Sequence, residues 1–344
     1  IPIQNIYYML SYAFQVLNEQ GYKNIATEQF HNTAELMAAI LEKGIAIQLK
    51  RGLGKEYIPQ TEALSSLRGK IDIAESIKTQ SMLRKQLICT YDEFSVNSIM
   101  NQIIKSTVEL LLRSNISKQR KKNLRKLMVY FSEVDFIDSY TVNWNVQYNR
   151  NNQTYRMLIS ICYLVVKGLL QTQSNGHTKL MDFLDEQRMC RLYEKFILEY
   201  YRKEFKNQIT ANASQIPWQL DNEENSMLSV MQSDIMLQSG EKVLIIDAKY
   251  YEHSTQVQFD KHTLHSGNLY QIFTYVKNKE YELREKDHTV SGMLLYAKTD
   301  EEIYPNNVYQ MSGNQIAVRT LDLNLPFDEI ASQLNTIAKT HFDL

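Results

Sequence analysis

The chain has 344 residues, 44% of them hydrophobic, with only 11 glycines and 5 prolines, so two folded domains are expected and long disordered linkers are not. Its formal net charge of −1 excludes a protein that coats nucleic acid through overall positive charge. The cysteines are odd in number and scattered, which argues against a disulfide framework or a zinc site and suits a reducing cytoplasm; they are Cys89, Cys162 and Cys190.

The first half of the chain is predicted to be an α+β domain, over residues 1–184. Apolar residues at helical spacing predict helices over 4–19, 95–113 and 118–131, and a further helix from 157 to about 184.

Other segments of this half have a mixed pattern. A helix is predicted from residue 34, but the alternation of 45–49 indicates a turn into a strand there. Strands and turns are predicted over 56–73, where Pro59 and Gly69 interrupt the pattern. The polar, β-prone segment 140–155 is predicted to be an exposed hairpin or an extended arm.

Two segments of the first half have features of phosphate-binding sites. Residues 117–126 contain six basic side chains, which favour the solvated face of a helix or a loop between helices over a local DNA-binding patch. Residues 52–55 resemble a phosphate loop, but Glu56 stands where Ser or Thr is required, and an upstream glycine is missing. The chain is therefore predicted to hold no nucleotide of its own.

Nothing in the sequence indicates a membrane partner. The longest apolar stretch, 157–170, is interrupted by Lys167 and is too short to cross a bilayer. The first residues lack the basic start and clean apolar core of a signal peptide. Both observations favour a cytoplasmic protein.

The second half of the chain, from about residue 185, alternates helical and strand patterns. The first elements are predicted to be a helix over 191–205, two strands separated by a polar turn at 221–225, a hairpin over 234–249 and a helix over 266–278 capped by Ser266. The later elements are predicted to be a core strand over 291–297, a hairpin across 312–314 and a helix over 327–342.

The hairpin over 234–249 is the most informative part of the sequence. Residues 243–246 form a branched apolar run typical of a buried strand, and a turn containing glycine precedes them. The hairpin returns Asp234 to the end that carries Asp247, and the strand period of two places Lys249 on the same face as Asp247. Two carboxylates and one ammonium are therefore predicted to converge in a mostly apolar sheet.

Such a cluster needs an ion or a substrate to balance its charge, because Asp and Lys are rarely buried without partners. Carboxylate oxygens suit Mg²⁺, which favours sites completed by substrate phosphate and there activates a water for attack on a phosphodiester. Lys249 would orient or activate that water, or stabilise the developing charge. A solvated charge pair at a sheet edge remains open on residue types alone.

The neighbouring helices add candidate site residues. In the helix over 191–205, Glu194 or Glu199 could present a third carboxylate. In the later helix, Gln271 and Tyr275 lie four residues apart and therefore on one face.

The order of these residues resembles the PD-(D/E)xK nuclease superfamily, whose core is helix, meander, helix and strand. The matching positions are Glu194, Asp234, Asp247-Ala248-Lys249 and Gln271-x-x-x-Tyr275. Ser233 stands where the superfamily's name has proline. The resemblance implies an α/β restriction-endonuclease-like domain over 185–344, with a mixed central sheet flanked by helices.

Segments spread over nearly the whole chain also resemble the McrC family, the nuclease subunits of McrBC modification-dependent restriction systems. They are IPIQNIYYMLSYAF at the start, TEALSSLRGKIDI at 61–73, YDEFSVNSIMNQIIKSTVELLL at 91–112, VLIIDAKYY at 243–251 and HSGNLYQIFTYV at 265–276.

This resemblance implies a Mg²⁺-dependent endonuclease that cuts double-stranded DNA together with an McrB-like AAA+ GTPase hexamer. It implies that the partner recognises modified cytosine and binds the GTP, and that this chain stimulates its GTP hydrolysis. The resemblance implies catalytic roles for Asp234, Asp247, Lys249 and Glu194. It implies metal binding by Asp234, Asp247 and the Ala248 carbonyl, and support of the site by Gln271 and Tyr275.

In the family, the N-terminal half forms a stalk that enters the pore of the ring, so partner contacts are expected within 1–184. The segment 140–155, Arg51 and Arg68 are candidates, with a structural salt bridge near a glycine turn as the alternative for both arginines. Two other functions remain open: a nuclease of the same superfamily that works alone, and a non-catalytic adaptor that activates an AAA+ motor.

Overall fold

The structure is a computed structural model that describes residues 1–18, 22, 25, 28–138, 140–150, 152–174, 186–221, 227–251, 256–258, 261–298 and 304–344. The chain forms two compact units. We call residues 1–29 with 184–344 the sheet unit, and residues 30–183 the inserted unit. The prediction of one domain over 1–184 is therefore corrected at its start, because the helix Ile3–Ala13 packs against the helix Glu186–Glu204.

The secondary structure of the described residues alternates helices and strands. The helices are α1 (Ile3–Ala13), α2 (Thr33–Arg51), α3 (Ile73–Lys78), α4 (Ile99–Arg113), α5 (Lys118–Met128), α6 (Tyr155–Ser174), α7 (Glu186–Glu204), α8 (Ser266–Glu282) and α9 (Phe327–Phe342). The strands are β1 (Glu56–Leu64), β2 (Lys70–Asp72), β3 (Leu87–Ser95), β4 (Thr210–Asn212), β5 (Gln215–Ile216), β6 (Met231–Gln232), β7 (Ile235–Ser239), β8 (Lys242–Lys249), β9 (Gln256–Gln258), β10 (Lys261–Thr263), β11 (Thr289–Ala297), β12 (Asn307–Met311) and β13 (Asn314–Leu321).

Helix α2 shows where local alternation misled the sequence prediction. The Asn32 side chain caps its start by accepting from the Glu35 amide, and Gly52 ends it with a φ of 90°. The predicted strand over 45–49 is wrong, because these residues continue the helix. Ile45 and Gln48 are both buried and lie three apart, which is helical spacing.

The β-structure of the inserted unit is an antiparallel sheet of β1, β3 and β2. Gly69 has a φ of +67°, and a Cβ there would lie 2.3 Å from the Thr90 carbonyl oxygen, so the turn before β2 requires glycine. The segment 140–155 contains no strand among its described residues and enters α6 at Tyr155. The segment is therefore neither a hairpin nor a free arm, since Trp144 packs against Tyr163 with ring centres 5.1 Å apart.

The segment that resembles a phosphate loop has a structural role. The buried Tyr155 hydroxyl accepts from the Gly54 amide at 2.7 Å and donates to Asn101 at 2.8 Å. Asn101 in turn donates to the Gly54 carbonyl at 2.9 Å. The Gly54 amide is thus engaged by protein.

The sheet unit is built on a mixed sheet with the order β12-β13-β11-β8-β7-β4 among the described strands. Strand β11 runs parallel to both β8 and β13, and the outer pairings are antiparallel. A mixed central sheet was predicted and is confirmed. The polar turn predicted at 221–225 falls mostly outside the described residues, while the short strands before and after it, β5 and β6, pair antiparallel.

Helices cover both faces of this sheet. On one face, Ile272 and Val276 of α8 join a buried cluster with Val243, Ile245 and Leu294 of the sheet. Helix α9 lies over the opposite face, where its residues line a groove of about 920 Å³ with those of β11 and β13. Helix α9 also packs on α7, since the buried Tyr201 hydroxyl donates to the Leu334 carbonyl at 3.0 Å. The core therefore lies on both sides of β8 and β11.

Most predicted helix and strand positions are confirmed, with differences at the ends. The helix predicted over 4–19 ends at Ala13, and a 3-10 turn follows. The helix over 266–278 is α8, but its N-cap is His265 and not Ser266. The predicted late hairpin is β12 and β13, whose turn contains Gly313 with a φ of 93°. None of the described helices has the length and hydropathy needed to cross a membrane.

Candidate active site

The β7–β8 hairpin positions the predicted carboxylates as expected. Gly240 has a φ of 56° in the turn, and Ile235 pairs with Ile246 across the strands. Extending this register by one residue places Asp234 opposite Asp247. The Ala248 amide donates to Asp234 Oδ2 at 3.0 Å, which fixes the carboxylate at the end of β8. The hairpin therefore brings the two acids together.

Lys249 is bound directly to Asp247. Its Nζ donates to Asp247 Oδ1 at 2.9 Å and also lies 2.9 Å from Oδ2. The Asp247 side chain is 1% exposed and that of Lys249 13% exposed. The Lys249 ammonium therefore contacts both oxygens of a nearly fully buried carboxylate.

Helix α8 supplies the second partner of Lys249. Val243 and Ile245 face α8, and the strand period of two continues that face to Asp247 and Lys249. Gln271 Oε1 accepts from Lys249 Nζ at 3.3 Å. Gln271 Nε2 donates to the Tyr275 hydroxyl at 2.9 Å, one helical turn further on. The predicted supporting residues therefore form a chain of hydrogen bonds that ends on Lys249.

Helix α7 settles which glutamate faces the site. Glu199 forms an ion pair with Arg202 at 2.7 Å, and Arg202 also donates to the Ala211 carbonyl. Glu194 is close enough to Asp234 and Lys249 for their charges to shift its pKa. Of the two candidates for a third carboxylate, Glu194 is thus the one that approaches the hairpin.

The charges of the site do not balance one another. Burial raises the pKa of Asp247 to about 7, against the lowering effect of Lys249 and together with the raising effect of Asp234. Burial also raises the pKa of Asp234 and of Glu194. Burial lowers the pKa of Lys249, but the Asp247 carboxylate outweighs it, so the pKa is raised and the amine stays protonated. One ammonium faces several carboxylates, which favours an additional cation.

The donor set fits Mg²⁺. Among the residues that the structure describes, no three His, Cys, Asp or Glu side chains are grouped so that they could hold a metal by themselves. Mg²⁺ is commonly held by one or two carboxylates, with water and substrate phosphate completing its shell. Asp234 and Asp247 supply two carboxylates at the end of the same hairpin. A closed zinc site does not fit these residues.

Two groups beside the site escaped the sequence analysis. Cys190 Sγ donates to Glu194 Oε1 at 3.1 Å, and burial together with this bond raises the Cys190 pKa to about 12. Asn268 donates to the Tyr296 hydroxyl at 2.9 Å, and Tyr296 lies beside Lys249 in the β11–β8 register. The sequence did contain a signal for both residues. Cys190 lies four residues before Glu194 and Asn268 lies three before Gln271, which places each on the same helix face as its neighbour.

The sheet unit therefore belongs to the class of mixed α/β domains that carry a buried carboxylate–lysine site at the end of a central hairpin. The family of McrBC 5-methylcytosine restriction system components matches residues 4–297, and the chain belongs to this family. The resemblance noted for the separate segments is thereby confirmed over nearly the whole chain.

The proteins to which the chain is similar include one curated relative and two solved structures. The chain is 29% identical over 342 residues to the type IV methyl-directed restriction enzyme EcoKMcrBC of Escherichia coli K12, covering 97% of this chain and 96% of that protein. A half-complex from a tetradecameric assembly of Thermococcus gammatolerans McrB AAA+ hexamers with bound McrC has a chain that is 17% identical, with a TM-score of 0.49, covering 98% of this chain and 76% of that one. The cryo-EM structure of the T. gammatolerans McrBC complex gives 20% identity and a TM-score of 0.42, with 59% of each chain covered.

Proposed function

We propose that this McrBC component is the Mg²⁺-dependent DNA endonuclease subunit of a GTP-driven complex that acts on DNA with modified cytosine. The observation that carries the proposal is the pair of buried carboxylates, Asp247 and Asp234, which share the single ammonium of Lys249. A purely structural ion pair would need one carboxylate for one ammonium, whereas here two buried carboxylates share one. A PD-(D/E)xK nuclease fold for the sheet unit is part of the same proposal.

The residues of the site divide into those that hold an ion and those that hold Lys249. Asp234, Asp247 and the Ala248 carbonyl would hold Mg²⁺, which when bound polarises a water and neutralises phosphate charge. Lys249 stays protonated, so it stabilises negative charge developing on the phosphate and does not act as a base. Glu194 adds negative charge beside Asp234 and so favours a cation there.

The hydrogen bonds of Lys249 support this role. The ammonium is held between the Asp247 carboxylate and the Gln271 amide oxygen, and the Tyr275 hydroxyl holds that amide in turn. A charge whose position is fixed before the reaction stabilises the transition state without reorganisation. Gln271 and Tyr275 therefore position Lys249 and do not need to contact DNA.

An AAA+ GTPase hexamer that binds the GTP is the proposed partner, and its hydrolysis is stimulated by this chain. The Gly54 amide, in the segment that resembles a phosphate loop, is bonded to the Tyr155 hydroxyl and is not free for phosphate. The inserted unit also exposes apolar side chains on α3 and the adjoining 3-10 turn, where Ile73 is 63%, Ile77 62% and Leu83 82% exposed. We call these three residues the apolar patch; such clusters mark protein contacts.

The test is cleavage of modified DNA by the complex of this chain with its AAA+ partner. Asp247→Ala and Lys249→Ala should each abolish cleavage, while association with the ring and stimulation of its GTPase are largely retained. Glu199→Gln is the matched control, because Glu199 lies on the same helix as Glu194 but pairs with Arg202. Cleavage by both site variants at the wild-type rate would refute the site.

Each rival function predicts a different result. Robust cutting by the purified chain with Mg²⁺ and no GTPase would favour a nuclease that works alone. Full biological restriction supported by the Asp247→Ala variant would favour a non-catalytic adaptor. The proposed function predicts that both results are negative.

A further inference from the structure

Helix α5 of the inserted unit segregates its charges onto one side. Its outward side chains are Lys118, Lys121, Lys122, Arg125 and Lys126, which we call the outer face. At about 100° per residue these positions fall within roughly 140° of the helix circumference. Four of the five are exposed, and Lys121 is half-buried. The helix therefore presents a continuous cationic stripe on a chain whose net charge is −1.

The acidic groups next to α5 are bound on its other side. Arg120 forms ion pairs with Glu35 at 3.3 Å and with Glu42 at 2.9 Å, both from α2. Glu42 also accepts from Asn123 at 2.9 Å, and Glu35 accepts from the Ser117 amide and hydroxyl. These contacts fix the orientation of α5. Because Glu35 and Glu42 bind Arg120, Ser117 and Asn123, they do not neutralise the outer face.

The inner side of α5 is anchored by packing as well. Leu124 is fully buried against the rest of the inserted unit. Within the described residues, none of the outer-face cations forms an ion pair, although exposed pairs do occur elsewhere in the unit, such as Lys78 with Glu75. The stripe is thus a row of positive charges without ion pairs on the exposed side of a packed helix.

We propose that the outer face of α5 binds the phosphate backbone of double-stranded DNA, as a contact separate from the proposed cleavage site. The row from Lys118 to Lys126 is about 12 Å long, at about 1.5 Å per residue. Each strand of double-stranded DNA carries one negative charge per about 3.4 Å of axis, so such a row meets about three phosphates of one strand. Phosphate contacts carry no sequence information, so this surface positions DNA without selecting its sequence.

The inference goes beyond cleavage and does not depend on it. An acidic protein surface is the competing occupant of a cationic helix. DNA is favoured because all five residues of the outer face are basic, and the exposed apolar side chains nearest along the chain, Val129 and Tyr130, lie beyond the end of α5. Long cationic side chains on one exposed stripe match a polyanion of regular charge spacing.

The experiment measures binding of the full-length chain to a fluorescent DNA duplex without modified cytosine, in EDTA, over a range of salt concentrations. The variant Lys118→Gln/Lys122→Gln/Arg125→Gln/Lys126→Gln removes four charges, and Gln retains helix propensity. The matched control, Lys70→Gln/Lys78→Gln/Arg84→Gln/Lys85→Gln, removes four exposed charges from the same unit. A charge-retaining variant, Lys118→Arg/Lys122→Arg/Lys126→Arg, separates charge from residue identity.

The α5 variant should raise the Kd at least about tenfold near 0.1 M salt and reduce the slope of log K against log salt by about 2 to 4. The control and the arginine variant should bind as the wild type does. Equal binding by both glutamine variants, or no measurable binding by the wild type at low salt, would overturn the proposal. So would a glutamine variant of α5 that keeps DNA binding but no longer associates with the AAA+ partner, because the stripe would then serve a protein.

Discussion

Asp247 is buried and shares its single ammonium partner, Lys249, with Asp234. A cation bound there offsets the burial that raises the pKa of both Asp247 and Asp234. Mg²⁺ binding should therefore raise the thermal stability of the folded chain, independently of any catalysis.

This gives a prediction for metal binding. Mg²⁺ at about 100 times its Kd should stabilise the wild type by about 2.7 kcal/mol, because it binds the folded and not the unfolded state. Asp247→Asn should remove most of that gain, as measured by Tm with and without Mg²⁺. Glu199→Gln is again the control, because Glu199 pairs with Arg202. Asn335→Asp is unsuitable as a control, because Asn335 accepts a hydrogen bond from the Tyr200 hydroxyl. An equal Mg²⁺-dependent shift in Asp247→Asn would contradict the assignment of Asp247 as a ligand.

The hydroxyl of Tyr275 has one visible task, which is to hold the Gln271 amide so that its oxygen faces Lys249. Tyr275→Phe should lower the single-turnover cleavage rate of the assembled complex about fivefold, because one hydrogen bond contributes about 1 kcal/mol. Gln271→Ala should lower it further, since Lys249 then loses its partner directly. A Tyr275→Phe variant slower than Gln271→Ala would show that the hydroxyl has a separate role.

At the scale of elements, α8 approaches β11 closely because residue 292 is glycine. A Cβ there would lie 2.8 Å from Ile272 and Val276 and 2.9 Å from Ile316. Gly292→Ala should therefore lower the free energy of unfolding by about 1–3 kcal/mol, as overpacking does, measured by urea denaturation. Gly267→Ala is the control, since a Cβ there meets nothing within 4 Å and α8 gains helix propensity. Equal stabilities of the two variants would contradict the close approach.

Helix α9 carries a half-buried histidine, His341, and we expect the stability of the sheet unit to depend on pH through it. Burial lowers the pKa of His341, as does the nearby Lys242 ammonium, and its Nε2 has no hydrogen-bond partner in the described part of the chain. The unfolded chain, with a pKa near 6.5, therefore takes up the proton first. The stabilising contribution is fully present above about pH 6.5 and is lost as the pH falls through the lowered pKa of the folded state.

The measurement is the free energy of unfolding at pH 7.5 and at pH 5.5. The wild type should lose stability between these values, and His341→Gln should lose less, because it removes the group that titrates. His31→Gln is the matched control, since His31 is exposed. A wild-type loss that His341→Gln does not reduce would assign the pH dependence to other groups.

The sequence predicted those elements whose pattern is local. The period of two in β8 and the glycine turn before it were sufficient to bring Asp234, Asp247 and Lys249 together. The predicted strand over 45–49 failed because alternation over five residues is short, and the helix that contains it runs uninterrupted to Gly52. A local pattern of this length does not determine whether the segment becomes a strand or part of a longer helix, because the surrounding chain decides between the two.

Non-local packing accounts for what the sequence did not predict. Helix α1 belongs to the sheet unit because Asn5 donates to the carbonyls of Leu323 and Leu325 at 2.8 Å, more than 300 residues away. Tyr12 likewise donates to Glu204 at 2.9 Å, and burial raises its pKa. No residue spacing within 1–29 indicates these distant partners. The sequence prediction therefore placed residues 1–29 in the first domain, although they belong to the sheet unit.

At the scale of the whole molecule, the proposed function assigns different tasks to the two units. The carboxylate–lysine site lies wholly in the sheet unit, whereas the apolar patch and the outer face of α5 lie in the inserted unit. Substitutions in one unit should therefore separate cleavage from partner binding. Arg68 is a less suitable probe of partner contact, because its guanidinium lies 4.2 Å from the Tyr91 ring centre and so has a structural role.

Substitutions in the apolar patch test most directly whether partner binding can be separated from the cleavage site. Ile77→Ser/Leu83→Ser should weaken association with the AAA+ ring and reduce GTPase stimulation at least about tenfold, because two exposed apolar side chains would lose their burial in the complex. The Mg²⁺-dependent rise in Tm should persist, since the sheet unit is unchanged. Val129→Ser, 70% exposed in the same unit, serves as the control and should stimulate normally. If the patch variant stimulates the GTPase as well as Val129→Ser does, the ring must contact a different surface, and the polar segment 140–155 becomes the next surface to substitute.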